Sequence, residues 1–172
     1  GNFEENEQSK IFDNSDFGYQ RIKVERPQRL NFCASAERIA RLQEDSAFQN
    51  LAKSKKKDPA TAKAEVAAGE ARQREILSVL EAMPDTVFIA EKPFNKALEA
   101  ARQKLGLDKF SAAEKKCIWS ALSESDDTAE IVLDKSGNPT PDSDLRDFEN
   151  VPLKEEIATY VAREVLPYVP DA

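Results

Sequence analysis

Two groups of side chains in this sequence have the type and spacing to contact anions. Arg21, Lys23, Arg26 and Arg29 crowd the stretch GYQRIKVERPQRL, and Lys53, Lys55, Lys56 and Lys57 fill KSKKKD. Cations spaced in this way can meet phosphates or the carboxylates of a partner. The plain alternative is a solvated surface, and for the lysine run that alternative is favoured. A third group, Asp134, Ser136, Asn138 and Asp142 in DKSGNPTPDSDL, sets out oxygen ligands in the manner of a calcium loop. Such a loop needs glycine at its sixth position and a bidentate glutamate at its twelfth, where this chain has Pro139 and Leu145. A hairpin turn at Gly137 and Asn138, both tolerant of positive φ, accounts for the same residues.

Composition removes several other chemistries. The chain has no histidine, so no imidazole can activate a serine or cysteine or ligate a metal. Its five glycines, Gly1, Gly18, Gly69, Gly106 and Gly137, are too scattered for a phosphate-cradling loop. Cys33 and Cys117 lack the close cysteine neighbour that a zinc knuckle or redox motif requires and read as reduced thiols in or just under the core. A net charge of -7 opposes phosphate binding by the surface as a whole, so any contact with nucleic acid must come from a local patch. No catalytic, cofactor-binding or metal-ligating residue is assigned, and the chain alone is expected to bind no cofactor.

The elements that carry these residues follow from periodicity. The fold class is mainly α within an α+β arrangement: a helical bundle or helical hairpins with one or two short β-hairpins. Ile22 and Val24 alternate with Arg21, Lys23 and Glu25, the period of a half-buried strand, and Pro27 stops it. RLNF is a second short strand or an extended lead into a helix. Ser35 caps SAERIARLQEDSAFQNLA, whose imperfect stripe predicts a kinked helix or two short ones. Asp58 and Pro59 open the longest helix, with Ala62, Val66, Gly69, Gln73, Ile76, Leu80 and Met83 on one face packed antiparallel on the preceding helix. Gly69 on that face implies close approach of another backbone.

A third helix, through Phe94, Leu98 and Ala101, stops at Gly106, and Ser111 with Glu114 makes a capping box for a fourth. Trp119 reads as core. EIVLDKSGNPTPDSDLRDFENV reads as a hairpin or an open two-strand unit, and Pro152 opens a last helix with Leu153, Ile157, Tyr160, Val161 and Val165 on one face. No apolar run approaches a membrane span and no signal peptide precedes GNFEENE, so a cytoplasmic chain with no membrane partner is expected.

FDNSDFGYQRIKVERPQRLNF, followed by SAERIARL and SAFQNLAKSKKKD, resembles the segment just downstream of the catalytic domain in modification subunits of type I restriction-modification enzymes, the DNA adenine methyltransferase subunits. FNKALEAA, SALSESDDTAEI, DKSGNPTPDSDLRDFENVPLKEEI and EVLPYVPDA are similar to the downstream region of long-form members. The most specific pieces are FGYQRIKVERP and LRDFENVPL. The resemblance implies a parent that transfers a methyl group from S-adenosylmethionine to the amino group of an extruded adenine. The family's catalytic Asn-Pro-Pro-aromatic motif has no match here: Asn138-Pro139-Thr140-Pro141 lacks the second proline in register and the aromatic.

The chain therefore reads as a non-catalytic region, with a tail and strand over 1–33 leading from an absent methyltransferase domain, a helical domain over 34–125, and a hairpin plus a truncated C-terminal helix over 126–172. Residues 1–10 are expected to be mobile, and an unpaired edge at residues 19–25 would favour pairing with residues 30–32 or with a second copy of the fragment in a homodimer. The implied partners are the specificity and restriction subunits, with DNA reached through the assembled complex. The candidate contacts are the eight cations named above. The alternative is a free-standing acidic helical domain for protein-protein interaction.

Overall fold

The structure is a computed structural model and describes residues 12–172; the residues 1–10 expected to be mobile lie outside the described residues. Its elements in chain order are β1 (Tyr19–Val24), β2 (Leu30–Phe32), α1 (Ala36–Glu44), α2 (Ser46–Asn50), α3 (Pro59–Glu81), α4 (Glu91–Lys104), α5 (Ala112–Leu122), β3 (Ser123–Ser125), β4 (Asp147–Pro152) and α6 (Ile157–Tyr160), which runs into a π-helical turn over Val161–Val165. The fold is mainly α with two small two-stranded antiparallel sheets, β1 with β4 and β2 with β3. The chain divides into two compact units, Arg29–Val132 and a second built from Gly1–Gln28 with Leu133–Ala172. Among the described residues no helix is long and apolar enough to cross a membrane.

Arg29–Val132 holds the main core. Phe32 on β2 is fully buried, stacks on Phe94 of α4 at 4.9 Å and tilts against Trp119 of α5 at 5.6 Å. Leu42, Ile76, Val79, Leu80, Ile118 and Leu122 are also inaccessible to solvent. Aliphatic burial of this kind contributes about 1.5–3 kcal/mol per side chain. The helix starts follow the caps legible in the sequence: Ser35, Asp58 and Ser111 each accept from the backbone N–H three residues on, and Ser111 with Glu114 completes the capping box. The expected break after α1 falls at Asp45, which ends α1 and caps α2 through the Phe48 N–H. Gly106 closes α4 with φ +66°.

Gly69 meets the end of α2. A Cβ at this position would lie 2.6 Å from the Leu51 carbonyl carbon and 2.8 Å from the Ala52 Cα. The antiparallel helical hairpin is therefore present only as this crossing, because α1 packs chiefly on α5. Arg38 explains that preference. Its buried guanidinium donates to the Leu122 carbonyl at 2.9 Å and also pairs with Glu124, which Arg41 reaches at 2.7 Å. Guanidinium supplies enough fixed donors to satisfy a helix end and a carboxylate together.

Arg72 does the same work between α3 and α5. It grips Glu114 through two bonds of 2.7 and 3.1 Å, reaches Glu75 at 2.9 Å and the Lys109 carbonyl at 3.0 Å, and lies 5.4 Å from the Phe110 ring centre. This contact holds the buried Glu114 carboxyl below the ordinary carboxylate range, helped by the Ser111 N–H and opposed by burial.

Two strand pairings and one helix start differ from expectation. The hairpin expected over EIVLDKSGNPTPDSDLRDFENV does not form along its length, because β4 pairs with β1, in the register Tyr19↔Pro152 through Val24↔Asp147. Only Leu133 and Pro139 bridge across the proline-rich turn, where Asp134 accepts from the Ser136 and Asn138 N–H groups and Gly137 takes φ +86°. Those bonds give the carboxylate a turn-forming role in place of a calcium loop. β2 pairs with β3 and bridges Phe88, leaving β1 to find its partner at the far end of the chain. Pro152 closes β4 and does not open a helix: Glu156 caps α6 through Thr159, so Leu153 and Ile157 remain exposed.

Two outcomes follow from these contacts. Gly69→Ala forces α3 off the Leu51–Ala52 backbone, and urea unfolding should show a loss of about 1–3 kcal/mol. Glu114 has a folded pKa below its unfolded value of about 4.3, so its contribution is fully present above that pH and is lost as pH falls through the folded pKa. Glu114→Gln should lower stability at neutral pH by about 2 kcal/mol and flatten the acid limb of stability against pH; an unchanged limb would remove the Arg72 contact as its cause.

Candidate functional site

In the unit formed by the chain's two end segments, β1 and β4 make a two-stranded ribbon whose faces differ in chemistry. Directly opposed residues share a face, and the faces alternate along each strand. One face carries Gln20, Ile22 and Val24 from β1 opposite Val151, Glu149 and Asp147 from β4. This is the inner side: Val151 is fully buried, Val165 nearly so, and the Tyr160 hydroxyl donates to Glu149 at 3.0 Å. The Glu149 carboxylate pushes the Tyr160 phenol upward.

The opposite face sets Tyr19, Arg21 and Lys23 against Pro152, Asn150 and Phe148. Tyr19 is 61% exposed and Phe148 47%. The Arg21 guanidinium lies 4.3 Å from the centre of the Phe148 ring, a cation-π stack across the ribbon. Lys23 reaches Glu25 at 2.9 Å, and Arg146 reaches the same carboxylate at 2.9 Å. Lys23 is the leading cause of the lowered Glu25 pKa. A Cβ on Gly18 would run into the Leu153 side chain, and Lys154 pairs with Asp16 from the turn before β1.

The sequence-derived cations thus fall into separate places. Arg21 and Lys23 come together on the outer ribbon face. Arg26 forks onto Asp171 through bonds of 2.9 and 3.2 Å, tying the strand exit to the chain's last residues. Arg29 belongs to the other unit, where its Nη1 donates to the Ala129 carbonyl at 2.9 Å. Lys53, Lys55, Lys56 and Lys57 are exposed in the α2–α3 connection, and among the described residues none forms an ion pair. Sequence reasoning missed Tyr19, Phe148 and Asn150. Tyr19 stands two residues before Arg21 and was recoverable from strand alternation; Phe148 required the long-range register.

The arrangement offers no nucleophile with a base beside it. It offers flat rings, a planar cation and an ammonium paired with Glu25 on one solvent-facing surface, groups suited to recognition. No family model, no curated protein and no solved structure matches this chain.

The Arg21–Phe148 stack should be measurable without a ligand. A double-mutant cycle with Arg21→Ala and Phe148→Leu, read by urea unfolding, is expected to give a coupling of about 0.5–1 kcal/mol, typical of exposed cation-π pairs. Strict additivity would show that the two groups do not interact.

Proposed function

We propose that this chain is a non-catalytic region of a type I restriction-modification DNA adenine methyltransferase subunit, serving to dock the specificity subunit or to engage DNA within the assembled enzyme. One observation supports this reading above the others. The two stretches that most resemble that family, FGYQRIKVERP and LRDFENVPL, lie at opposite ends of the chain, and the structure pairs them as β1 and β4. Residues that carry a family likeness at two distant places are accounted for together if the ribbon they form is one working surface. Its outer face presents Arg21, Lys23, Tyr19 and Phe148, in keeping with a surface that contacts a partner or DNA.

On this reading, methyl transfer and S-adenosylmethionine belong to a catalytic domain upstream, which carries the Asn-Pro-Pro-aromatic motif that this sequence lacks. The restriction subunit joins through the completed complex. The alternative, a free-standing acidic helical interaction domain, draws its support from the self-contained core of Arg29–Val132 and the net charge of -7.

The test is co-purification of the tagged chain with the specificity subunit encoded at the same locus. Retention of that subunit, reduced at least tenfold by Arg21→Glu with Lys23→Glu, is the expected result. No retention, together with an open reading frame that has no methyltransferase domain upstream, transfers the conclusion to the free-standing domain.

A further inference from the structure

We infer that the outer face of the β1–β4 ribbon is a stacking platform for single-stranded DNA. The inference rests on the reading above for the choice of DNA; the preference for an unpaired strand comes from the ribbon itself. Tyr19 and Arg21 stand on the same face two residues apart, so their platforms are separated by about 6.8 Å along the strand. Stacked bases in B-form DNA repeat at about 3.4 Å per strand. In a duplex the faces of successive bases are covered by one another, whereas an unpaired strand can splay its bases apart onto two platforms at this spacing.

Each platform is suited to a base. Tyr19 offers an exposed ring, and Arg21, itself exposed, has its guanidinium centre over the Phe148 ring at 4.3 Å, so the ring supports it from one side. Aromatic rings and guanidinium planes are the two surfaces on which unpaired bases stack, and every base has a π face, so little sequence preference is expected. Charge complements this geometry. Lys23 lies one further step along the face, and near it Lys23 and Arg146 share a single carboxylate, Glu25, while Arg21 is held by the ring of Phe148 and not by an acid. The face is therefore locally cationic on a chain of net charge -7. The edge N–H groups of Arg21 are left to meet a phosphate, the Lys23 ammonium meets a second by exchanging its partly exposed pair with Glu25, and the Asn150 amide opposite Arg21 adds a donor and an acceptor for base edges.

Fluorescence anisotropy with a short labelled oligothymidylate and a duplex of equal length tests the inference on the whole chain. The single strand should bind at least tenfold more tightly than the duplex at about 150 mM salt. The slope of log K against log salt should be about -1.4, the value for two phosphate contacts at roughly -0.7 each. Tyr19→Leu and Phe148→Leu keep apolar bulk at exposed positions but remove the flat rings; each should weaken binding about tenfold. Circular dichroism of the variants establishes that the ribbon is retained. Equal affinity for duplex, no binding to either, tighter binding to oligouridylate, or equal displacement by polyglutamate would each overturn the inference. A chain that retains the specificity subunit but ignores the oligonucleotide sinks only this inference. Oligonucleotide binding without subunit retention sinks the earlier reading.

Discussion

The packing around Phe32 is the contact on which most of the larger unit depends. This ring sits at 0% exposure where five segments meet: its own strand β2, the Phe88 segment, α4 through Phe94, α5 through Trp119, and β3 through the strand ladder. Its backbone is committed as fully as its side chain. The Phe32 N–H donates to Phe88 and its carbonyl accepts from the Phe88 N–H, both at 2.8 Å, so the ring cannot shift without breaking paired backbone groups. Helices placed by their caps alone would have free rotation about their axes; the ring fixes which sides of α4 and α5 face inward.

Local features of the sequence were legible because they are set by neighbours a few residues away. Ser35, Asp58, Ser111 and Gly106 mark helix ends by bonding or backbone conformation within one turn, and each does so here. Gly69 was legible for a different reason: a glycine on a buried helix face has few explanations besides a close backbone, and the Leu51–Ala52 segment is that backbone. Strand pairing was not legible. Period-two alternation shows that Tyr19–Val24 is a strand but carries no information about its partner, and the nearest candidate, Leu30–Phe32, joined β3.

The same division governs the candidate surface. Arg21 and Lys23 could be listed from the sequence, yet charge alone did not separate them from Arg26 and Arg29, whose guanidinium groups are engaged with Asp171 and the Ala129 carbonyl. What distinguishes Arg21 is a ring brought to it from the other end of the chain. Arginines also carry structural duties that periodicity ignores. Arg38, Arg72 and Arg102 each donate to main-chain carbonyls within the helical unit, Arg102 to that of Leu107. A third of this sequence is charged, and part of that charge holds the core's borders instead of facing solvent.

The position of β1 and β4 at opposite ends of the chain has a consequence for the order of folding. Joining them directly in an unfolded chain means closing a loop that contains the whole of Arg29–Val132. Within that unit, however, Arg29 bridges Ile131, and Leu30 pairs with Ser125, so its entrance and exit are already adjacent once it has folded. The loop left to close then shrinks to the tethers from Val24 to Arg29 and from Ile131 to Asp147, with a smaller entropy cost. During synthesis β1 emerges before Arg29–Val132 and waits for β4, which follows that unit in the chain. Closing the ribbon therefore costs least once the unit between its strands has folded.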